Sequence, residues 1–144
     1  MNDNLIKALE ILLADSNALY LKTQNFHWNV TGPNFYALHN LFEEQYEDLA
    51  VAIDEIAERI RALGKKVPGN WKSYTKLTSI ADGDEHADAA TMIRELINSQ
   101  DAILKTLKRT IDEAQKVGDE VTIDMATTRM SVHEKNAWML KSSL

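Results

Sequence analysis

Glycine and proline, which cost a helix interior about 1 and 3 kcal/mol relative to alanine, are the residues it tolerates least. In this chain they occupy only three places. Gly32-Pro33 is one, Gly118 is another, and Gly64, Pro68, Gly69 and Gly83 gather in a single connection. Four long stretches free of breakers remain, and apolar residues recur through them at close to a helical period. So sparsely punctuated a chain is expected to be all-α.

The spacing predicts helix one from Asn4 to about Val30, carrying Leu5, Leu9, Leu12, Leu13, Leu19 and Phe26, with Asn2 to Asn4 offering caps. Gly32-Pro33 stops it, and Asn34 is placed to cap helix two, running from Phe35 to Leu63 and closed by Gly64. Arg59 and Arg61 fall in its last turns, where the helix dipole favours cations. Within residues 64 to 85, Trp71, Tyr74, Leu77 and Ile80 suggest one short extra helix. Helix three is expected from about Asp88 to Val117, with Ile93, Leu96, Ile97, Ile103, Leu104, Leu107 and Ile111 as its inward stripe. Asp119 then caps helix four, which carries Val121, Met125, Met130, Ala137, Trp138 and Leu140. Four long helices with one long connection between the second and third describe a ferritin-like four-helix bundle with a crossover.

At 144 residues the chain suits one domain, 1–144, with no second unit or internal repeat. No apolar run approaches the roughly 20 residues that span a bilayer, and Met1-Asn2-Asp3-Asn4 is not the basic start of a signal peptide. A cytoplasmic location away from the membrane is therefore expected. The absence of cysteine excludes disulfides and thiolate metal sites, leaving imidazole and carboxylate as ligands, a set suited to iron, manganese or zinc. The net charge of -6, with no basic cluster beyond Lys65-Lys66 and Lys108-Arg109, offers no footprint for a phosphate backbone.

Helix two carries the chemistry. With His39 at zero on the helical wheel, Glu43 falls at about 40°, Asp54 at about 60° and Glu58 at about 100°. Leu38, Phe42, Leu49, Ile53, Ile56 and Ile60 cluster on the other side. An acidic stripe is commonly just a solvated face, yet such faces usually interleave lysine, and none lies between Asn40 and Glu58, nor any arginine. Carboxylates three and four residues apart repel by roughly 0.2 to 0.5 kcal/mol per pair. A metal, or positive charge from another subunit, would compensate.

Rise along the helix then decides how a metal site is assembled. Glu43 and Asp54 are eleven residues apart, about 16 Å along the axis, whereas ligand bonds are only about 2 Å long. One helix cannot bring both to one ion. His39 and Glu43 make one half-site, which His27 joins if helices one and two are antiparallel neighbours. Asp54 and Glu58 make the other half. Two subunits meeting about a two-fold axis, second helices antiparallel, would pair each half with its complement.

Asn25-Phe26-His27-Trp28-Asn29-Val30-Thr31-Gly32-Pro33-Asn34-Phe35, followed by His39, Glu43, Asp54 and Ala57-Glu58-Arg59-Ile60, resembles the signature of the Dps family, the mini-ferritins. The likeness extends through His133-Glu134-Lys135 and Ala137-Trp138-Met139-Leu140. It implies a twelve-membered hollow shell with di-iron ferroxidase centres between two-fold-related subunits. His27, His39 and Glu43 would come from one subunit and Asp54 and Glu58 from its partner. Ferrous iron would be oxidised preferentially by hydrogen peroxide and stored as ferric mineral, protecting the cell and its DNA. Zinc is a second candidate for the resting site. Larger ferritins place Glu-x-x-His motifs inside each bundle. Here Gln24, Tyr36, Gly83 and Met130 stand three residues before the four histidines.

Asp119 and Asp124 resemble the family's acidic three-fold pore, although capping alone accounts equally well for Asp119. Trp28 is read as interface packing, with interception of radicals beside the site as the alternative. Glu44, Glu47 and Asp48 are read either as an inner wall for mineral or as solvated acids, and His86 and His133 as surface or packing residues. Two rival functions stand beside ferroxidase. A nucleoid-compacting protein is one; family members that bind DNA through tails carry a lysine-rich extension that is not seen here, so direct DNA binding is not expected. A non-catalytic structural shell is the other.

Overall fold

The computed structural model describes residues 2–144, which form five helices and no strand. These are α1 (Asp3–Asn29), α2 (Phe35–Ala62), α3 (Trp71–Leu77), α4 (Ala89–Val117) and α5 (Glu120–Lys141). The four long helices and the short one in the connection lie where the punctuation predicts them.

Three of the helix starts are capped by side chains. Asn70, Asp88 and Asp119 accept from the backbone amides of Ser73, Thr91 and Thr122 at 2.9, 2.8 and 3.1 Å. The expected caps Asn2 and Asn34 occupy the right positions but make no such bond. Their ψ angles of 20° and 18° depart from the extended backbone that aims a capping side chain at the first turn. At the end of α4, Gly118 adopts φ 69°, and Asp119 N–H reaches back to Ala114 O at 2.9 Å. That six-to-one bond across a left-handed residue is the reason a glycine stands there.

Side-chain links between helices fix their directions. Lys22 bonds Ser99 while Asp15 bonds Thr106, so α1 and α4 are antiparallel. Asp48 pairs with Arg129 and Arg59 with Asp119, so α2 and α5 are antiparallel as well. α1 also runs against α2, and α4 against α5, each pair joined by a short turn. It follows that α2 and α4 point the same way. The connection between them must climb back along a helix about 40 Å long, which is why it is long and carries α3.

α1 holds that crossover down with two buried side chains of opposite charge. Asp15 accepts from Thr78 Oγ1 and Ser79 N at 2.7 Å each, Ser79 Oγ at 2.9 Å and Thr106 Oγ1 at 2.6 Å. Lys22 donates to Ala81 O at 3.0 Å and Ser99 Oγ at 2.9 Å. Burial pushes its ammonium pKa down, with Glu95 and Asp82 opposing. Just beyond, Gly83 lies so close to Phe26 that an added Cβ would stand 2.8 Å from the ring.

The core is drawn from the expected faces of α1, α2 and α4. α5 differs. Val121 and Trp138 are exposed, whereas Thr122, Arg129, His133 and Asn136 are buried together with Ala126, Ala137 and Leu140.

Candidate metal centre

The turn 30–34 folds α2 back along α1 and sets His27 beside His39. His27 Nδ1 lies 2.7 Å from the carbonyl oxygen of His39, and His39 Nδ1 lies 2.7 Å from the carbonyl oxygen of His27. A carbonyl can only accept, so each Nδ1 carries the proton and donates. In the neutral ring this leaves Nε2 as the nitrogen with the lone pair, the form in which imidazole binds metals. One ligand atom each from His27, His39 and Glu43 lies within 4.8 Å of the others, the only such group among the described residues. Glu43, one turn beyond His39 on α2, completes the trio with a carboxylate.

The rings are stacked, centres 3.8 Å apart and planes within 14° of parallel. Lone pairs lie in the ring plane, so two parallel rings at this separation cannot both aim at one ion about 2 Å from each nitrogen. Such an ion would sit over the ring faces instead. Each imidazole therefore presents its lone pair separately from the other.

Asp54 and Glu58 lie farther along α2, exposed to solvent and outside this trio. Trp28 is 63% exposed. Asp119 is occupied: it accepts from Arg59 at 2.8 Å and from the Thr122 amide and hydroxyl. Burial would raise its pKa, but the Thr122 bonds and the Arg59 guanidinium outweigh that and hold it below the usual range. Asp124 is exposed.

Arg129 and Gln100 are functional-looking residues that sequence reasoning passed over. Arg129 donates to Asp48 at 2.9 Å, so part of the acidic face of α2 is neutralised by the same chain rather than by a metal or a second subunit. The spacing of α5 gives no hint of it. His133, a packing residue as expected, is enclosed between Arg129 and Gln100. His86 is exposed.

Comparison with known proteins follows the same lines. Residues 6–144 match the family model described as Ferritin-like domain. The chain is 39% identical over 144 residues to DNA protection during starvation protein 2 of Bacillus anthracis, covering all of this chain and 99% of that one. The crystal structure of a Dps protein from Bacillus brevis superimposes with a TM-score of 0.95 at 33% identity, over 98% of this chain and 95% of that one.

The chain belongs to the Dps family of ferritin-like proteins.

A Dps protein from Vibrio cholerae O1, described as a member of a broad superfamily of ferritin-like diiron-carboxylate proteins, matches with a TM-score of 0.93 at 32% identity, covering 98% of this chain and 89% of that one. The fold of a Dps subunit thus sets two histidines and a carboxylate at the closed end of the α1–α2 hairpin.

Proposed function

We propose that this chain is a mini-ferritin subunit that oxidises ferrous iron at a two-ion centre shared between two copies and stores the ferric product in the shell the copies build. The observation that carries this reading is the stacked, mutually bonded histidine pair, which offers two ions one nitrogen each. Glu43 adds one carboxylate. Asp54 and Glu58 of a second copy, arriving about a two-fold axis, supply the other two and complete the centre. The dodecamer implied by the family provides such axes.

Ferrous iron is the substrate here, and the residues present fit it. Neutral imidazole and carboxylate bind it without saturating it, so positions stay open for oxidant and for departure. The oxidant is hydrogen peroxide: two ferrous ions, one peroxide and two protons give two ferric ions and two waters. Adjacent ions deliver both electrons together, and a lone ferrous ion, which releases hydroxyl radical, is kept from meeting the oxidant. The same site accepts zinc as a resting occupant. Protection of DNA, named in the Bacillus anthracis relative, follows from removing iron and peroxide together. A net charge of -6 per copy argues against direct contact with the duplex, and the protein works in the cytoplasm.

Complementation tests the shared centre. Neither His39→Ala nor Asp54→Ala should oxidise ferrous iron with peroxide at the rate of the unsubstituted shell in stopped flow. Co-expressed, they should recover roughly a quarter of the sites, since a mixed pair holds one intact and one doubly broken centre. Mixed shells with no recovery would sink the shared geometry.

A further inference from the structure

The imidazole pair is itself enclosed by other rings. Phe35 stacks on His39, centres 5.0 Å apart and planes 24° apart. Tyr46 stands edge-on to His27 at 5.3 Å and 66°, and Tyr20 backs Tyr46 at 5.4 Å and 84°. The rings thus follow one another as Phe35, His39, His27, Tyr46, Tyr20, with the two nitrogen ligands in the middle.

The carbonyl bonds pin each imidazole at Nδ1 but leave it free to rock about that point. Rocking by about 30° would carry Nε2 through about 1 Å, half a coordination bond. Neighbouring rings on both outer sides block that motion. Phe35 is a large apolar side chain, 41% exposed in the first turn of α2, and the core does not account for it. Its ring instead covers His39, where an electron-rich face also steadies the positive charge an imidazole gains on binding metal.

We propose that Phe35 and Tyr46 are positioning residues that clamp the histidine pair from its two ends and hold both Nε2 atoms at the separation two ions require. This deepens the metal-centre reading and rests on it. The clamp acts through ring faces and edges, so the Tyr46 hydroxyl is dispensable for it.

Cobalt(II) titration of the purified shell, followed by visible absorption, reads both affinity and ligand geometry. Phe35→Leu should weaken cobalt binding about tenfold and shift the band shape, as loss of a ligand's supporting contact does. Phe35→Tyr should restore both, and size-exclusion chromatography should show every Phe35 variant assembling like the unsubstituted chain. Tyr46→Phe should bind like the unsubstituted chain and Tyr46→Leu should not. Should Tyr46→Leu fail to assemble, the Phe35 variants decide the matter. An unsubstituted shell that takes up no cobalt sinks the metal-centre reading and the clamp together. One that binds alongside an indifferent Phe35→Leu, or a Phe35→Tyr no better than leucine, sinks the clamp alone.

Discussion

Arg129 donates to Nε2 of His133 at 3.0 Å, one turn away on the same helix, while Nδ1 of His133 donates to Gln100 at 2.7 Å. A guanidinium aimed at an imidazole nitrogen keeps that nitrogen unprotonated. Burial first, and Arg129 second, lower the His133 pKa from 6.5 to about 3.

Acid should therefore destabilise the fold through His133. The unfolded chain takes up this proton as pH falls below 6.5, and the folded chain resists until about 3. Stability from this group is complete above the upper value and is lost progressively on the way down, on the order of 5 kcal/mol across the window. His133→Gln removes the titrating group. Its melting-temperature deficit against the unsubstituted chain at pH 7 should narrow as pH is lowered to 4; a constant deficit would contradict the assignment.

Asp15 should be among the costliest polar positions to lose. Alanine there removes the acceptor of the buried Thr106 hydroxyl, worth about 1 to 3 kcal/mol if unsatisfied, and of the part-buried Thr78 hydroxyl and Ser79 amide and hydroxyl, which water can reach. Asp15→Ala should lower stability in urea unfolding by about 3 kcal/mol, and Asp15→Asn by less. A neutral Asp15→Ala would mean the crossover is held by other contacts.

Gly83→Ala should cost about 1 to 3 kcal/mol, because its methyl group meets the Phe26 ring at 2.8 Å and the ring is fully buried. Phe26 precedes His27, so ferrous affinity should fall along with the melting temperature. A variant as stable as the unsubstituted chain would show that the crossover can yield.

Asp119 and Asp124 can be told apart by what each carboxylate already does. Asp119→Ala removes a helix cap and leaves Arg59 without its carboxylate partner, at a cost of about 1 to 2 kcal/mol. Asp124→Asn should leave stability within about 0.5 kcal/mol, as befits an exposed side chain. If iron enters at a pore lined by Asp124, the same variant slows ferrous uptake at low iron; unchanged uptake would remove Asp124 from the route.

Duplex DNA at pH 7 and physiological salt should not be retarded by the purified protein in a gel, since like charges meet and no basic cluster offsets them. A shifted band that persists at that salt would reverse this expectation.

Long-range order in this chain was legible where it follows from spacing. Breakers placed the helices, and the i,i+4 pair His39 and Glu43 with a histidine across a tight turn pointed to three side chains that the fold does bring together. Asp15, Lys22 and Arg129 were not legible. Each is a charged residue buried against partners dozens of positions away, and nothing in local periodicity separates such a residue from a solvated one. Asn34 misled for a related reason: cap preference is a property of residue type, whereas the bond depends on a ψ angle that the preceding Gly-Pro turn sets. The tautomers of the histidines were equally hidden, being decided by main-chain atoms.

That last feature outlasts change elsewhere in the molecule. Where an acidic side chain orients a metal-binding imidazole, one codon can abolish the arrangement. Here the orienting atoms belong to every amino acid alike, so no replacement of a neighbouring side chain deletes them, and the choice of which nitrogen stays free is inherited with the hairpin itself.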